Sequence, residues 1–289
     1  MSELISFCAP AKINLSLRVR GKLDNGYHAL ESLVAFAAFG DTLSVQKSDE
    51  TRFTSNMETQ GNLVLRAHNA LQKASGRTLP THMHLDKKLP IAAGLGGGSS
   101  DAGACLRGLM QLHQVSADAL DLPALALSLG ADVPVCLSPQ PAWMTGIGEQ
   151  ITPLGGLPAC DIVLVNPRLG LSTQKVFETL QAGALQSASD GPPVIECYSG
   201  LIGFVERQGN DLQAPAMALL PQIADCLEAL SKAAGDYVAM SGSGATCFAL
   251  CEAGGGQDVA QAYRQQRPED WVVAAPLVSA ENAEIDQFF

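Results

Sequence analysis

The chain is 289 residues long and 47% hydrophobic, with 18 Lys and Arg against 29 Asp and Glu for a net charge of −11. That apolar share can fill a core and argues against disorder, and the acidity argues against a nucleic-acid partner, leaving room only for a local anion site. No apolar run reaches the ~20 residues a bilayer requires, and no basic segment followed by an apolar one opens the chain, so a cytoplasmic protein without a membrane partner is expected. The eight cysteines contain no Cys-x-x-Cys and read as buried free thiols.

Ile13, Leu15, Leu17 and Val19 alternate with Asn14, Ser16, Arg18 and Arg20, the period of a half-buried strand. Ala9-Pro10-Ala11-Lys12 precedes it, Gly21 ends it, and Asp24-Asn25-Gly26 supplies a turn that leads directly into Tyr27 and His28. Leu33-Val34-Ala35-Phe36 and Leu43-Ser44-Val45 predict two further strands. Residues 62–71 predict a helix ended by Gly76, and residues 82–85 a short strand. His82 and His84 share one face of that strand. With no third ligand nearby, a solvated face explains them better than a zinc site.

The stretch Pro90-Ile91-Ala92-Ala93-Gly94-Leu95-Gly96-Gly97-Gly98-Ser99-Ser100-Asp101-Ala102-Gly103 organises the chain. Four glycines in five positions suit a tight turn that another group can approach closely. Ser99, Ser100 and Asp101 are good helix N-caps, and Cys105, Leu106, Leu109 and Met110 follow at helical spacing. A glycine loop opening onto a helix N-terminus presents unpaired N–H groups and a positive dipole end, which suit phosphate. No lysine follows Gly98 as a P-loop requires, and Ser99 stands where a dinucleotide fingerprint needs its third glycine.

Asp121-Leu122-Pro123 predicts a helix start and Gly130 its cap, followed by Ala131-Asp132-Val133-Pro134. Residues 138–158 are rich in Pro and Gly, and a domain boundary is expected there, giving units 1–153 and 154–289. Beyond it, strands are expected at residues 161–165, 237–240, 245–251 and 271–278. Helices are expected after Ser172, over residues 215–234 with a break or bend at Pro221, and over residues 259–265. Ser241-Gly242-Ser243-Gly244 forms a second glycine loop, which also reads as a plain hairpin between strands.

Three stretches in order, Pro10-Ala11-Lys12-Ile13-Asn14-Leu15, Gly94 to Ser100, and Ser241-Gly242-Ser243-Gly244-Ala245-Thr246, together resemble the motifs of the GHMP kinases, which phosphorylate small molecules with ATP. Gly26-Tyr27-His28, Gly130 to Pro134, Gly146-Ile147-Gly148-Glu149 and Asn210-Asp211-Leu212 resemble one branch of that superfamily. Its acceptor is a cytidine-diphosphate-linked sugar alcohol, phosphorylated at the 2-hydroxyl on the non-mevalonate route to isoprenoid precursors. The resemblance implies a two-domain α+β fold, with an amino-terminal domain like ribosomal protein S5 domain 2, a ferredoxin-like carboxy-terminal domain and the site between them. Ala92, Ala93, Asp101, Gln213 and Asn25 depart from the residues usual in the branch; Asp101 is tolerable near phosphate if it caps the helix.

What the resemblance implies for chemistry is a proton acceptor at Asp132 and, at Lys12, a cation that keeps Asp132 ionised and stabilises the transferring phosphoryl group. Residues 92–102 wrap the phosphates of ATP, with Asn62 at the adenine side. Ser99 or Ser100 is within reach of Mg²⁺ or a phosphate oxygen, and no carboxylate stands out as a metal ligand. The acceptor is expected on Asn14, Tyr27, His28, Thr173, Phe177, Ser241 and Gly242, with cytosine sandwiched by Tyr27 and Phe177 and read by His28. Other readings stay open at this point: a GHMP kinase of another alcohol such as homoserine or mevalonate, an inactive nucleotide-binding module, or an S5-like scaffold.

Overall fold

The computed structural model describes residues 4–24, 26–57, 62–180 and 191–278, so Asn25 of the expected turn lies outside the described residues. Strands β1 (Leu4–Asn14) and β2 (Arg18–Lys22) run antiparallel along one edge of the long strand β3 (His28–Lys47). Then follow β4 (Arg52–Ser55), α1 (Leu63–Ser75), β5 (Thr81–Asp86), α2 (Gly97–His113), α3 (Leu122–Leu129), α4 (Val133–Leu137), β6 (Ala142–Gly146) and β7 (Gln150–Pro153). The first sheet reads β4-β5-β3-β6-β7, with β1 and β2 added on β3. The second half comprises β8 (Cys160–Asn166), α5 (Thr173–Thr179), α6 (Tyr198–Gln208), α7 (Gln213–Leu219), α8 (Gln222–Lys232), β9 (Tyr237–Met240), β10 (Cys247–Glu252), α9 (Gly256–Gln266) and β11 (Trp271–Pro276). Its antiparallel sheet is ordered β11-β8-β10-β9, the ferredoxin-like arrangement of a β-α-β-β-α-β chain.

Local chemistry accounts for many boundaries. Asn62 Oδ1 accepts the Val64 N–H at 2.8 Å and Gly76 turns left-handed, which delimits α1. Asp121 caps α3 and Ser172 caps α5. Pro221 separates α7 from α8.

Several expectations need correction. The period-two segment at 13–19 is not one half-buried strand: β1 ends at Asn14, β2 begins at Arg18, and Asn14 and Ser16 are as buried as their apolar neighbours. A register shift between Pro10 and Lys12 turns the strand over, so Phe7 and Ala9 pack under α1 and α2 whereas Ala11, Ile13 and Leu15 pack toward the second sheet. The two strands expected at 33–36 and 43–45 are parts of the single strand β3. β1 crosses β3 at Gly40, where a Cβ would lie 2.1 Å from Ala9 O. Helix α2 begins at Gly97 with Gly96, at φ 60°, as its N-cap; Ser99, Ser100 and Asp101 therefore sit inside its first turns and cap nothing. The Pro/Gly-rich stretch 138–158 holds strands β6 and β7. Cys197 is exposed, while the other seven cysteines are buried free thiols. Among the described residues, no helix is long and apolar enough to cross a membrane.

Apolar residues gather in three main layers. One lies under α1, α2 and α3, and one under α7, α8 and α9. The third joins the two sheets through Ile13, Leu33 and Trp143 on one side and Ile162, Leu164 and Phe248 on the other.

Candidate active site

The register shift in β1 also delivers Lys12 to the edge of a cleft of about 990 Å³ between the two halves. Its backbone N–H donates to Leu95 O at 2.9 Å, which ties the strand to the glycine loop. Its side chain is 5% exposed, and a buried ammonium needs partners. Lys12 Nζ donates to Asp132 Oδ2 at 3.0 Å and to Asn14 Oδ1 at 3.1 Å. Asn14 is itself held, its Nδ2 donating to Ser32 Oγ at 2.7 Å and Ser32 in turn to Ser16 O at 2.6 Å. Asp132 occupies the N-cap position of α4 yet makes no cap hydrogen bond, so its carboxylate is free to meet Lys12 while remaining partly open to the cleft.

The glycine loop faces this pair. Gly94, Gly96 and Ser99 line the cleft. A Cβ on Gly96 would lie 3.2 Å from Lys12 Cβ, so the lysine stem lies directly on the loop. Ala92 holds a positive φ of 52°. Ala93, Leu95 and Ala102 are buried and do not line the cleft, and neither do Gly97 and Gly98. Ser100 is buried and donates to Pro10 O at 2.6 Å, which leaves Ser99 as the serine facing the cleft. Asn62 caps α1 and is not a cleft residue; its neighbour Leu63 lies 3.3 Å from where a Gly98 Cβ would be.

Asp101 does not line the cleft. It is buried beside Asp41, and Lys87 Nζ bonds both carboxylates, Asp101 Oδ2 at 2.8 Å. Asp41 Oδ1 also accepts the N–H groups of Lys88 and Leu89 at 2.6 and 2.8 Å, whereas Asp101 Oδ1 has no partner. Burial, only partly offset by Lys87, pushes Asp101 up to about 7.

The loop at 241–246 is the hairpin between β9 and β10, and it braces the first glycine loop. Ser241 Oγ donates to Gly94 O at 3.2 Å and accepts Asn14 N–H at 3.2 Å; Thr246 N–H donates to Ala93 O at 3.1 Å. A Cβ on Gly94 would lie 2.5 Å from Gly244 O, so the two loops touch backbone to backbone. Ser241 is buried, while Gly242 and Ser243 line the cleft, where Ser243 Oγ and Thr173 Oγ1 are 2.7 Å apart.

At the far end the cleft is aromatic. His28 and Phe177 stack with centroids 4.8 Å apart and planes at 22°. Tyr27 lines the mouth and is 60% exposed. The ring packed on Phe177 is thus that of His28, not that of Tyr27. Burial first and the nearby Lys22 charge second lower the His28 pKa below 6.5. Lys22, Met144, Ile147 and Leu212 also line the cleft and were not anticipated. Ile147 had a signal, since it lies in Gly146-Ile147-Gly148-Glu149: Glu149 Oε2 accepts the Ile147 N–H at 2.6 Å and sets the turn.

The family description "GHMP kinases N terminal domain" matches residues 62–140, and "GHMP kinases C terminal" matches residues 203–269. The 4-diphosphocytidyl-2-C-methyl-D-erythritol kinase of Mesorhizobium japonicum is 42% identical over 285 residues, covering 96% of each chain. That of Rhizobium meliloti is 45% identical over 264 residues, 85% of this chain and 86% of the relative. A crystal structure of 4-(cytidine 5'-diphospho)-2C-methyl-D-erythritol kinase superposes with a TM-score of 0.79 at 31% identity, over 95% of this chain and all of the other. Homoserine kinase from Cytophaga hutchinsonii shares the fold, with a TM-score of 0.69 at 17% identity over 96% of each chain. With both halves matched in order and relatives of this identity spanning nearly its whole length, the chain belongs to the GHMP kinases and, within them, to the family of the 4-diphosphocytidyl-2-C-methyl-D-erythritol kinases.

Proposed function

We propose that the cleft transfers the terminal phosphoryl group of ATP to the 2-hydroxyl of 4-diphosphocytidyl-2-C-methyl-D-erythritol. The observation that carries this reading is the Lys12–Asp132 pair at 3.0 Å, set against a glycine loop and the N-terminus of a long helix in a chain with such relatives. The acceptor hydroxyl lies against Asp132, whose carboxylate takes its proton as the new O–P bond forms and the bond from the γ-phosphorus to the β,γ-bridging oxygen breaks, with ADP leaving. Lys12 pairs with that carboxylate at 3.0 Å and faces the charge that develops on the transferring group. The nucleotide phosphates lie on the backbone N–H groups between Gly94 and Ser99, at the positive end of α2.

Among the described residues, no cluster of three His, Cys, Asp or Glu is built to hold a metal. The Ser99 hydroxyl, which lines the cleft, would be the protein group to hold a Mg²⁺ that arrives on the nucleotide. Such an ion supplies charge neutralisation between the phosphates.

The aromatic end suits the base. A cytosine entering between Tyr27 and Phe177 takes the place of the His28 ring on Phe177, and His28 then meets the edge of the base. Stacking of this kind is worth about 1–3 kcal/mol per base. Thr173 and Gly242 lie on the acceptor side of the same cleft. A coupled ADP-release assay on a panel of alcohols tests the reading. Mg²⁺-dependent turnover of the cytidine compound is expected, and turnover of homoserine or mevalonate without it overturns the assignment.

A further inference from the structure

The segment Asn210-Asp211-Leu212 lies away from the reacting groups, yet it joins two elements that meet at the floor of the cleft. Leu17 N–H donates to Gly209 O and Asp211 N–H to Leu17 O, both at 2.9 Å, so the segment forms a short parallel bridge with the link between β1 and β2. The Asp211 carboxylate secures that side, accepting Val19 N–H at 2.8 Å and pairing with Arg18 at 2.7 Å. The Asn210 side chain reaches the other way. Its Nδ2 donates to Met240 O at 2.7 Å and Gly242 O at 2.8 Å, and its Oδ1 accepts Leu212 N–H at 2.9 Å. All three polar valences used are short and well matched to an amide.

These two carbonyls lie at the end of β9 and in the glycine hairpin that follows it, and Gly242 lines the cleft. A Cβ on Gly242 would lie 3.1 Å from Asn14 Oδ1, the atom that accepts from Lys12 Nζ. The hairpin therefore packs on the polar chain that holds Lys12. Asn210 anchors it with one amide that donates to two backbone carbonyls, alongside Gln213 Oε1, which accepts Met240 N–H at 2.9 Å, and Ser241 Oγ, which accepts Asn14 N–H. The phosphate loop is braced separately, through Thr246 N–H to Ala93 O and Lys12 N–H to Leu95 O, neither of which passes through Asn210.

We propose that Asn210 is a positioning residue for the acceptor: its amide fixes the glycine hairpin against Asn14 and so places the acceptor hydroxyl toward Lys12 and Asp132. The inference rests on the cleft being the acceptor site. Asn210→Asp keeps the shape and the acceptor for Leu212 N–H but turns a carboxylate oxygen toward two carbonyls. Misplacement of reacting groups by an ångström costs on the order of 10² in rate. The variant is therefore expected to lose at least about tenfold in kcat/KM for the acceptor while the KM for ATP stays within a few-fold. Asp211→Asn, which loosens only the β1–β2 side, is expected to lower Tm without raising the acceptor KM. Asn210→Ser keeps one shorter donor and is expected to show a smaller loss in the same direction; it replaces Asn210→Asp if that chain does not fold. An equal rise in the KM of both substrates, unchanged kinetics, or the same profile in Asp211→Asn overturns the proposal. The parent is first assayed on the cytidine compound and the alcohol panel. An inactive parent on the cytidine compound counts against the acceptor assignment, and an active parent with an indifferent Asn210 variant counts against the positioning role.

Discussion

Replacing Gly94 with alanine adds one methyl group where the two glycine loops touch. The new Cβ would sit 2.5 Å from Gly244 O, 3.0 Å from Gly244 C and 3.0 Å from Ser241 O, all backbone atoms that no rotamer change can clear. Gly94 also holds φ at 75°, a left-handed conformation that costs a residue with a Cβ roughly 1–2 kcal/mol. Overpacking adds roughly 1–3 kcal/mol. Together these predict a loss on the order of 2–5 kcal/mol, hence a fall in Tm of about 3–8 °C for a chain of this size. The loops must also separate by most of an ångström, so KM for ATP and for the acceptor should both rise and kcat should fall by about 10². Gly98→Ala is the contrast. Its Cβ would meet only Leu63 Cδ1 at 3.3 Å, on a helical backbone where alanine is favoured by roughly 0.5–1 kcal/mol. That variant should keep its Tm and leave the KM for both substrates within a few-fold of the parent. Scanning calorimetry with steady-state kinetics on both substrates separates the two. A Gly94→Ala enzyme that behaves like Gly98→Ala would refute the idea that loop-to-loop contact sets the geometry.

Asp132→Asn should lower kcat by about 10²–10⁴ and leave ATP affinity by calorimetry nearly unchanged; a kcat within a few-fold of the parent reassigns Asp132 to structure. The lowered His28 pKa leaves the ring neutral at pH 7, so its protonation below pH 6.5 should raise the acceptor KM but not that for ATP; an acid limb that persists in His28→Gln belongs to another group. Because Asp101 is raised to about 7, the folded state binds more protons than the unfolded one between the ordinary carboxylate range and pH 7, and stability falls as pH rises through that window. Asp101→Asn should therefore gain stability over the parent, most above pH 7 and little below pH 4; denaturant titrations showing the larger gain in acid would reverse that sign.

Local signals made much of the fold legible. Asn62 and Gly76 bracket α1 through caps that need no distant partner, and the apolar run at 161–165 is strand β8. Lys12 and Asp132 stand 120 positions apart and were paired through motif resemblance, since no periodicity connects them. What stayed hidden depends on neighbours far along the chain. Asp101 has the composition of an N-cap, but Lys87 and Asp41 draw it into a buried cluster. The alternation at 13–19 looks half-exposed because sequence does not show that Ser32 and the 241–246 hairpin enclose the polar face of Asn14 and Ser16. Asn210 carried only a motif likeness, and its function in the floor of the cleft emerges from carbonyls 30 and 32 residues away.

The apolar layer between the sheets also bears on how substrates enter. Ile13, Leu33 and Trp143 share one interior with Ile162, Leu164 and Phe248, and the chain returns from β11 to donate Val278 N–H to Phe36 O at 2.7 Å. Swinging the two halves apart as rigid bodies would wet that whole layer, so the floor of the cleft has no hinge. Admission falls instead to the rim, where the turn carrying Tyr27 and the short helix α5 carrying Phe177 face each other. Rim segments of this size rearrange in nanoseconds to microseconds, faster than domain opening. If the cleft works as proposed, ligand exchange is expected to part a few side chains at the mouth while Lys12 and Asp132 stay where the core holds them.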